Sequence, residues 1–243
     1  MNRFHEISTP LGDRHPVILV HGIDDTAAVF RTMAPYLASQ GWQVHHPSLT
    51  PSNGDVGLDV LAEQLSDYVQ QVIPAGQPFD LVGFSMGGII SRYFVQRLGG
   101  LERVRRFVTI SSPHCGTWTA YLRSNLGASQ MCVQSPFLRD LNQDANCLEQ
   151  LNFTSIWTPL DLMILPAHSS RLGVGREVVL NVPAHAWMLS DPRSLRAVVQ
   201  ALSEPLRSAA HSAACSVKDS QQSQEQPTSA GSIGLTASPA DGP

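Results

Sequence analysis

The stretch 80–88, DLVGFSMGG, constrains the fold of this chain more than any other segment. An apolar run at Phe79–Val82 leads into Gly83-Phe84-Ser85-Met86-Gly87, and a helical pattern over Gly88–Leu98 follows. Alone, five such residues amount to a glycine-rich turn with a capping serine, because Gly and Ser are common. Between a strand and a helix they describe something narrower: a sharp turn that holds the serine at its tip in a strained conformation. The flanking glycines prevent clashes, and the helix that begins directly afterwards aims its N–H groups and positive dipole end at the serine. Ser85 is therefore the candidate nucleophile.

The remaining periodicity supplies the sheet such a turn needs. Val17–Val20, behind Pro16, is a short β-branched run and reads as a buried strand. Over Ala27–Gln40, residues Phe30, Met33, Ala34 and Leu37 share one helical face, and Gly41 closes the segment. Trp42–His45 is a second short strand. Leu58–Ile73 has helical spacing and is stopped by Pro74 and Gly76, and Val104–Ile110 is again a strand. Strands alternating with helices predict an α/β fold with a mostly parallel central sheet and helices on both faces. Phe153–Trp157 and Glu177–Val182 are later strand candidates, and Ser194–Leu206 is a closing helix introduced by Asp191-Pro192.

Two segments stand outside this alternation. Ser111–Asn152 is irregular, with apolar islands at Trp118–Leu122 and Phe137–Leu141. It reads as an excursion from the sheet, in which 113–152 forms either a small lid over a substrate surface or a fixed extension of the core. Residues 209–243 are dominated by Ser, Ala, Gln, Gly and Pro without an aromatic residue, the composition of a disordered tail. The expected organisation is one domain over 1–208 followed by that tail; 243 residues with 42% hydrophobic content suit a single core.

Net charge of -4 offers no broad basic surface, so a nucleic-acid partner is not expected. The cysteines at 115, 132, 147 and 215 match no zinc pattern, and Asp13, Asp24 and Asp25 near His15 and His21 make no persuasive metal set. Spacing alone does not bring Cys132 and Cys147 within disulfide reach, and free thiols are the expectation. The N-terminus lacks the apolar core of a secretory signal, and no run approaches the length of a membrane span, which leads to the expectation of a cytoplasmic protein.

A serine nucleophile needs a base, and the base needs an orienting acid. Asp161, in SIWTPLDLMILP, lies just past a strand and fits the acid, with Asp140, Asp144 and Asp191 as rivals. His185, in VVLNVPAHAWML, lies on the loop after the last strand and fits the base; His168 is its main rival, with His114 and His211 further alternatives. His21-Gly22 ends the first strand on the loop that faces the nucleophile, so His21 is expected to shape that loop. The backbone N–H groups of Ile23 and Met86 are the candidate oxyanion donors. This chemistry calls for no metal or organic cofactor.

With these residues in view, the chain resembles the bacterial lipases of the α/β-hydrolase superfamily, in particular the lipase class 2 group and its triacylglycerol-lipase-like relatives. The resemblance rests on PVILVHG at 16–22, LVGFSMGG at 81–88, SSPHCGT at 111–117, Asp161–Ile164 and His185, and spans roughly 15–207. It implies an α/β-hydrolase fold, Ser85, Asp161 and His185 as catalytic residues, Ile23 and Met86 as oxyanion donors, and aliphatic carboxylic esters as substrates. It also sets 127–142 near the acyl-binding surface. Trp118, Tyr121, Leu122, Leu126 and Phe137 become candidate substrate contacts, with transient contact to a lipid surface. An acyltransferase or thioesterase using the same serine, and a non-catalytic binding protein of the same fold, are the alternatives.

Overall fold

The structure, a computed structural model, describes residues 14–206. The expected tail, His211 and Cys215 lie outside the described residues. Six strands form one sheet: β1 (Val17–Val20), β2 (Val44–His45), β3 (Phe79–Phe84), β4 (Val104–Ile110), β5 (Asn152–Trp157) and β6 (Arg176–Val179). Their spatial order is β2-β1-β3-β4-β5-β6, and every neighbouring pair is parallel. A parallel sheet is covered on both faces, so its inner strands are continuous buried runs, as β1, β3 and β5 are. At the edge, β6 alternates half-buried and exposed residues.

Helices cover the two faces. On one, α2 (Leu58–Val72) and α3 (Met86–Arg97) contribute Leu58, Leu61, Leu65, Ile89, Ile90 and Phe94 to the core. On the other, α1 (Met33–Ser39) contributes Met33 and Leu37. The last helix, α6 (Pro192–Leu202), contributes Leu195, Val198 and Leu202. The helix expected over 27–40 is divided: a 3-10 turn covers Ala27–Phe30, and α1 begins only at Met33. Pro35 accounts for the break, since it has no N–H to donate and is tolerated only in a first turn. Asp191 caps α6, accepting from the Arg193 N–H, with Pro192 in the first turn.

The excursion after β4 contains α4 (Leu126–Gln130), α5 (Pro136–Gln143) and 3-10 turns at Trp118–Leu122 and Ala145–Gln150. Its second half is a core extension: Leu138, Leu141 and Leu148 are buried, and Phe137 stacks on Tyr93 of α3 at 5.4 Å. Arg92, fully buried on α3, donates to the Leu141 carbonyl at 2.8 Å, to Asn142 Oδ1 at 3.0 Å and to Gln96 Oε1 at 3.0 Å. Burial pushes the Arg92 guanidinium down to about 10. Outside it, Arg97 pairs with Asp140 and Asp144. The first half differs, because Trp118, Tyr121, Leu122 and Leu126 are exposed. Cys115, Cys132 and Cys147 are free thiols.

Glycines set how closely α3 approaches the sheet. A Cβ on Gly87 would lie 2.5 Å from the His21 carbonyl oxygen and closer still to that of Val20. One on Gly83 would lie 2.5 Å from Gly88 Cα. The first turn of α3 thus rests on the backbone of β1 and β3 with no side chain between them. Because these obstacles are backbone atoms that cannot rotate away, Gly87→Ala is expected to destabilise the fold by about 2–3 kcal/mol, read as a lower urea midpoint at unchanged slope.

Candidate active site

β3 ends at Phe84 and α3 starts at Met86, which leaves Ser85 alone to make the turn, at φ 52° and ψ -124°. A positive φ in a residue with a Cβ is strained by about 1–3 kcal/mol and persists only where the surroundings enforce it. Here the Ser85 N–H donates to the Ile110 carbonyl at 2.8 Å and its carbonyl accepts from Gly88 at 3.0 Å. The serine is 7% exposed and sits at the N-terminus of a helix of twelve residues. Met86 is the first helical residue, so its N–H is one of those directed out of the helix end.

The loop after β1 lies against the serine. A Cβ on Gly22 would stand 3.1 Å from Ser85 Cβ, which puts the backbone leading to Ile23 beside Ser85. His21 is fully buried and holds this loop: its Nε2 accepts from the Leu49 N–H at 2.9 Å, which leaves Nδ1–H to donate to the Gly22 carbonyl at 2.9 Å. Its role is to shape the loop. Asp24 follows with φ 58°, its N–H donating to the Ser52 carbonyl at 2.9 Å. Arg123 reaches across from the excursion and binds both oxygens of Asp24, and it also donates to the Asn53 carbonyl at 3.3 Å. Sequence reading missed Arg123, since nothing in the local pattern links residues 24 and 123.

At the far side, β5 delivers Asp161 and the chain beyond β6 delivers His185. Thr158 Oγ donates to the Val182 carbonyl at 2.7 Å and so joins the two loops. His185 Nδ1–H donates to Asp161 Oδ2 at 2.7 Å, while Asp161 Oδ1 accepts from the N–H groups of Met163 and Ile164, both at 2.9 Å. The His185 ring packs on Phe84, the residue before Ser85, with centroids 4.8 Å apart. Burial alone would raise the Asp161 pKa; the His185 hydrogen bond and charge, then the Ile164 and Met163 N–H groups, outweigh it and hold the carboxyl below the usual aspartate range.

The rival residues are engaged elsewhere. Asp140 and Asp144 pair with Arg97, and Asp191 caps α6 beside Arg193. His168 is exposed. His114 is buried beneath the site, where Arg92 donates towards its Nδ1 at 3.5 Å and its Nε2 meets Thr109 Oγ at 2.9 Å; burial, then the Arg92 charge, hold its pKa well below the usual histidine value. Of the candidate substrate contacts, Trp118, Tyr121, Leu122 and Leu126 are on the surface. Phe137 packs on α3. The backbone of the Trp118 turn is bound to the Asp161 loop: the Trp118 N–H donates to the Leu165 carbonyl at 2.8 Å, and Thr119 Oγ to the Met163 carbonyl at 2.6 Å. Among the described residues no three His, Cys, Asp or Glu side chains group so as to hold a metal ion, and no helix is long and apolar enough to cross a membrane.

The chain has the α/β-hydrolase fold and is similar to lipases and thioesterases. Residues 16–134 match the palmitoyl protein thioesterase family model. Over 113 residues the chain is 36% identical to a triacylglycerol lipase of Pseudarthrobacter phenanthrenivorans, covering 43% of this chain and 34% of the relative. Over 118 residues it is 29% identical to the lysosomal thioesterase PPT2 of Mus musculus, covering 46% and 39%. The matched region thus spans well under half of either relative's length. Among solved structures, lipase BlEst2 of Bacillus licheniformis in its mature form superposes with a TM-score of 0.65 at 16% identity, over 80% of this chain and 94% of that one. Aspergillus fumigatus lipase B gives 0.69 at 19% identity, over 82% and 55%. At such identities the likeness is one of fold.

A carboxyl held below its unfolded pKa of about 3.9 stabilises the fold above that pH, and the contribution fades as pH falls through the lower, folded value. Chemical denaturation should therefore find Asp161→Ala less stable than the parent at pH 7. The gap should narrow below about pH 4.

Proposed function

We propose that this protein hydrolyses carboxylic esters through Ser85, His185 and Asp161. The observation that carries the reading is the 2.7 Å bond from His185 Nδ1 to Asp161 Oδ2, with the imidazole packed on the residue before the strained serine. With Nδ1–H given to Asp161, Nε2 carries the lone pair of a general base. It takes the Ser85 hydroxyl proton as Oγ attacks the acyl carbonyl. The Ile23 and Met86 N–H groups receive the charge that collects on the carbonyl oxygen. As the intermediate collapses, the Nε2 proton passes to the departing alcohol, leaving an acyl-serine. Water, deprotonated by the same nitrogen, then releases the acid and restores Ser85. Throughout, Asp161 fixes the tautomer and stabilises the imidazolium.

The acyl chain is assigned to the exposed apolar rim beside the site. Leu122 is 85% exposed and Leu162 78%, with Trp118, Met163 and Trp187 also more than half exposed. Apolar surface of this kind at an active-site mouth suits an aliphatic chain and transient contact with a lipid aggregate. Thioester cleavage by the same serine is a second reading, favoured by the family match over 16–134.

Ser85 should be labelled by a fluorophosphonate, and Ser85→Ala should lose both labelling and at least about a thousandfold in kcat. Activity that survives this substitution overturns the assignment. A p-nitrophenyl ester series from two to sixteen carbons, run beside the matching acyl thioesters, separates the two readings by kcat/KM. On the same series, Leu122→Ser with Trp118→Ser should depress turnover of the longest esters by about tenfold and spare the shortest.

A further inference from the structure

Asp25 stands in the site without a task in the reaction just described. Its Oδ2 lies 3.1 Å from the position of a Gly22 Cβ, and Ser85 Cβ lies 3.1 Å from that same point, so the carboxylate and the nucleophile flank one glycine. The Gly22 N–H donates to this carboxylate, and the Asp25 carbonyl accepts from Ser52 Oγ at 2.7 Å, which holds the side chain in place. Among the described residues no arginine pairs with Asp25; Arg123, which reaches this loop, is taken by both oxygens of Asp24. The other titratable groups acting on Asp25 are the imidazoles of His21 and His185 and the carboxylate of Asp24, which is paired with Arg123. Residues 118–126, 160–165 and 185–187 contain only Arg123 and Asp161 as charged side chains, and Asp161 is committed to His185 and two N–H groups.

We propose that Asp25 is a charge filter: its carboxylate disfavours the binding of anionic acyl donors, selects neutral ones, and expels the carboxylate product, while the oxyanion of the intermediate is held by the Ile23 and Met86 N–H groups. The proposal rests on Ser85 being the nucleophile. Hydrolysis converts a neutral ester into an anion held where the carbonyl carbon met Ser85, with Asp25 across Gly22 from it. Two unit charges about 6 Å apart at an effective dielectric near 20 repel by about a hundredfold in binding, and solvent at a half-exposed site reduces this to about tenfold. Asp25 thereby favours product departure over product retention, while an uncharged substrate of the same length is not penalised.

The test compares hexanoate with hexanamide as inhibitors of neutral-ester hydrolysis at pH 8. The two have the same length and differ in charge. In the parent protein hexanamide should inhibit about tenfold more strongly. Asp25→Asn, which keeps an acceptor for the Gly22 N–H, should bring the two within about threefold. Raising NaCl from about 50 mM to about 1 M should narrow the gap in the unsubstituted protein, a measurement that needs no variant. An equal gap in parent and Asp25→Asn, or none in the parent at low salt, overturns the filter. A residue that only shapes the loop would weaken both inhibitors alike and leave the ratio unmoved. Where Ser85→Ala abolishes hydrolysis and the ratio still does not respond, the filter alone fails; activity retained by Ser85→Ala removes the underlying reading and the filter with it.

Discussion

The contact on which the rest of this structure depends is between backbones: the first turn of α3 resting on the carbonyls at the end of β1. Helix and sheet ordinarily meet through interleaved side chains. Here glycine at 83 and 87 removes them, and the helix start settles onto β1 and β3. Three consequences follow from that one approach. Ser85 must turn the chain within a single residue and is forced to positive φ. The helix end is brought over the crevice where the β1 and β3 loops diverge, the place where open α/β sheets bind ligands. The Gly22 backbone comes against Ser85, so the loop bearing Ile23 is positioned by packing before any substrate is present.

The strain at Ser85 is offset by its surroundings. Strands with near-continuous burial lie on both sides, and core clusters on both faces of the sheet anchor the elements that meet at the turn. The residues at the far side of the site are held less directly. Asp161 and His185 stand on loops, each tied down by a few hydrogen bonds, of which the Thr158–Val182 link and the two N–H groups on Asp161 are the chief.

Much of this was legible in the sequence because buried parallel strands announce themselves as apolar runs. β1 and β4 were delimited correctly, and α2 to within a residue. α3 begins two residues earlier than its pattern suggested, since glycines carry no periodicity and the turn consumes only Ser85. The helix over 27–40 was read as continuous because its apolar spacing is unbroken, and Pro35 overruled the spacing. Asp161 and His185 are brought together, although they are separated by 24 positions. The Arg123–Asp24 pair spans 99 positions and the setting of Asp25 depends on a neighbouring backbone, so neither leaves a trace in local pattern. The excursion was left between lid and core extension, and its halves divide that way in burial: Leu138, Leu141 and Leu148 inside, Trp118 and Leu122 outside.

The interior position of Arg92 bears on how such a chain can be shortened or recombined. Among the described residues no carboxylate contacts its guanidinium, which is satisfied by a carbonyl, two side-chain amides and an imidazole, and the carbonyl, one of the amides and the imidazole are supplied by the excursion. Cutting 113–152 back to a bare connection would strand a positive charge within the core with only Gln96 left to solvate it. The excursion is therefore not a module that can be traded between frameworks of this fold on its own. Transplanting it calls for moving α3 as well, and α3 begins directly after the strained Ser85.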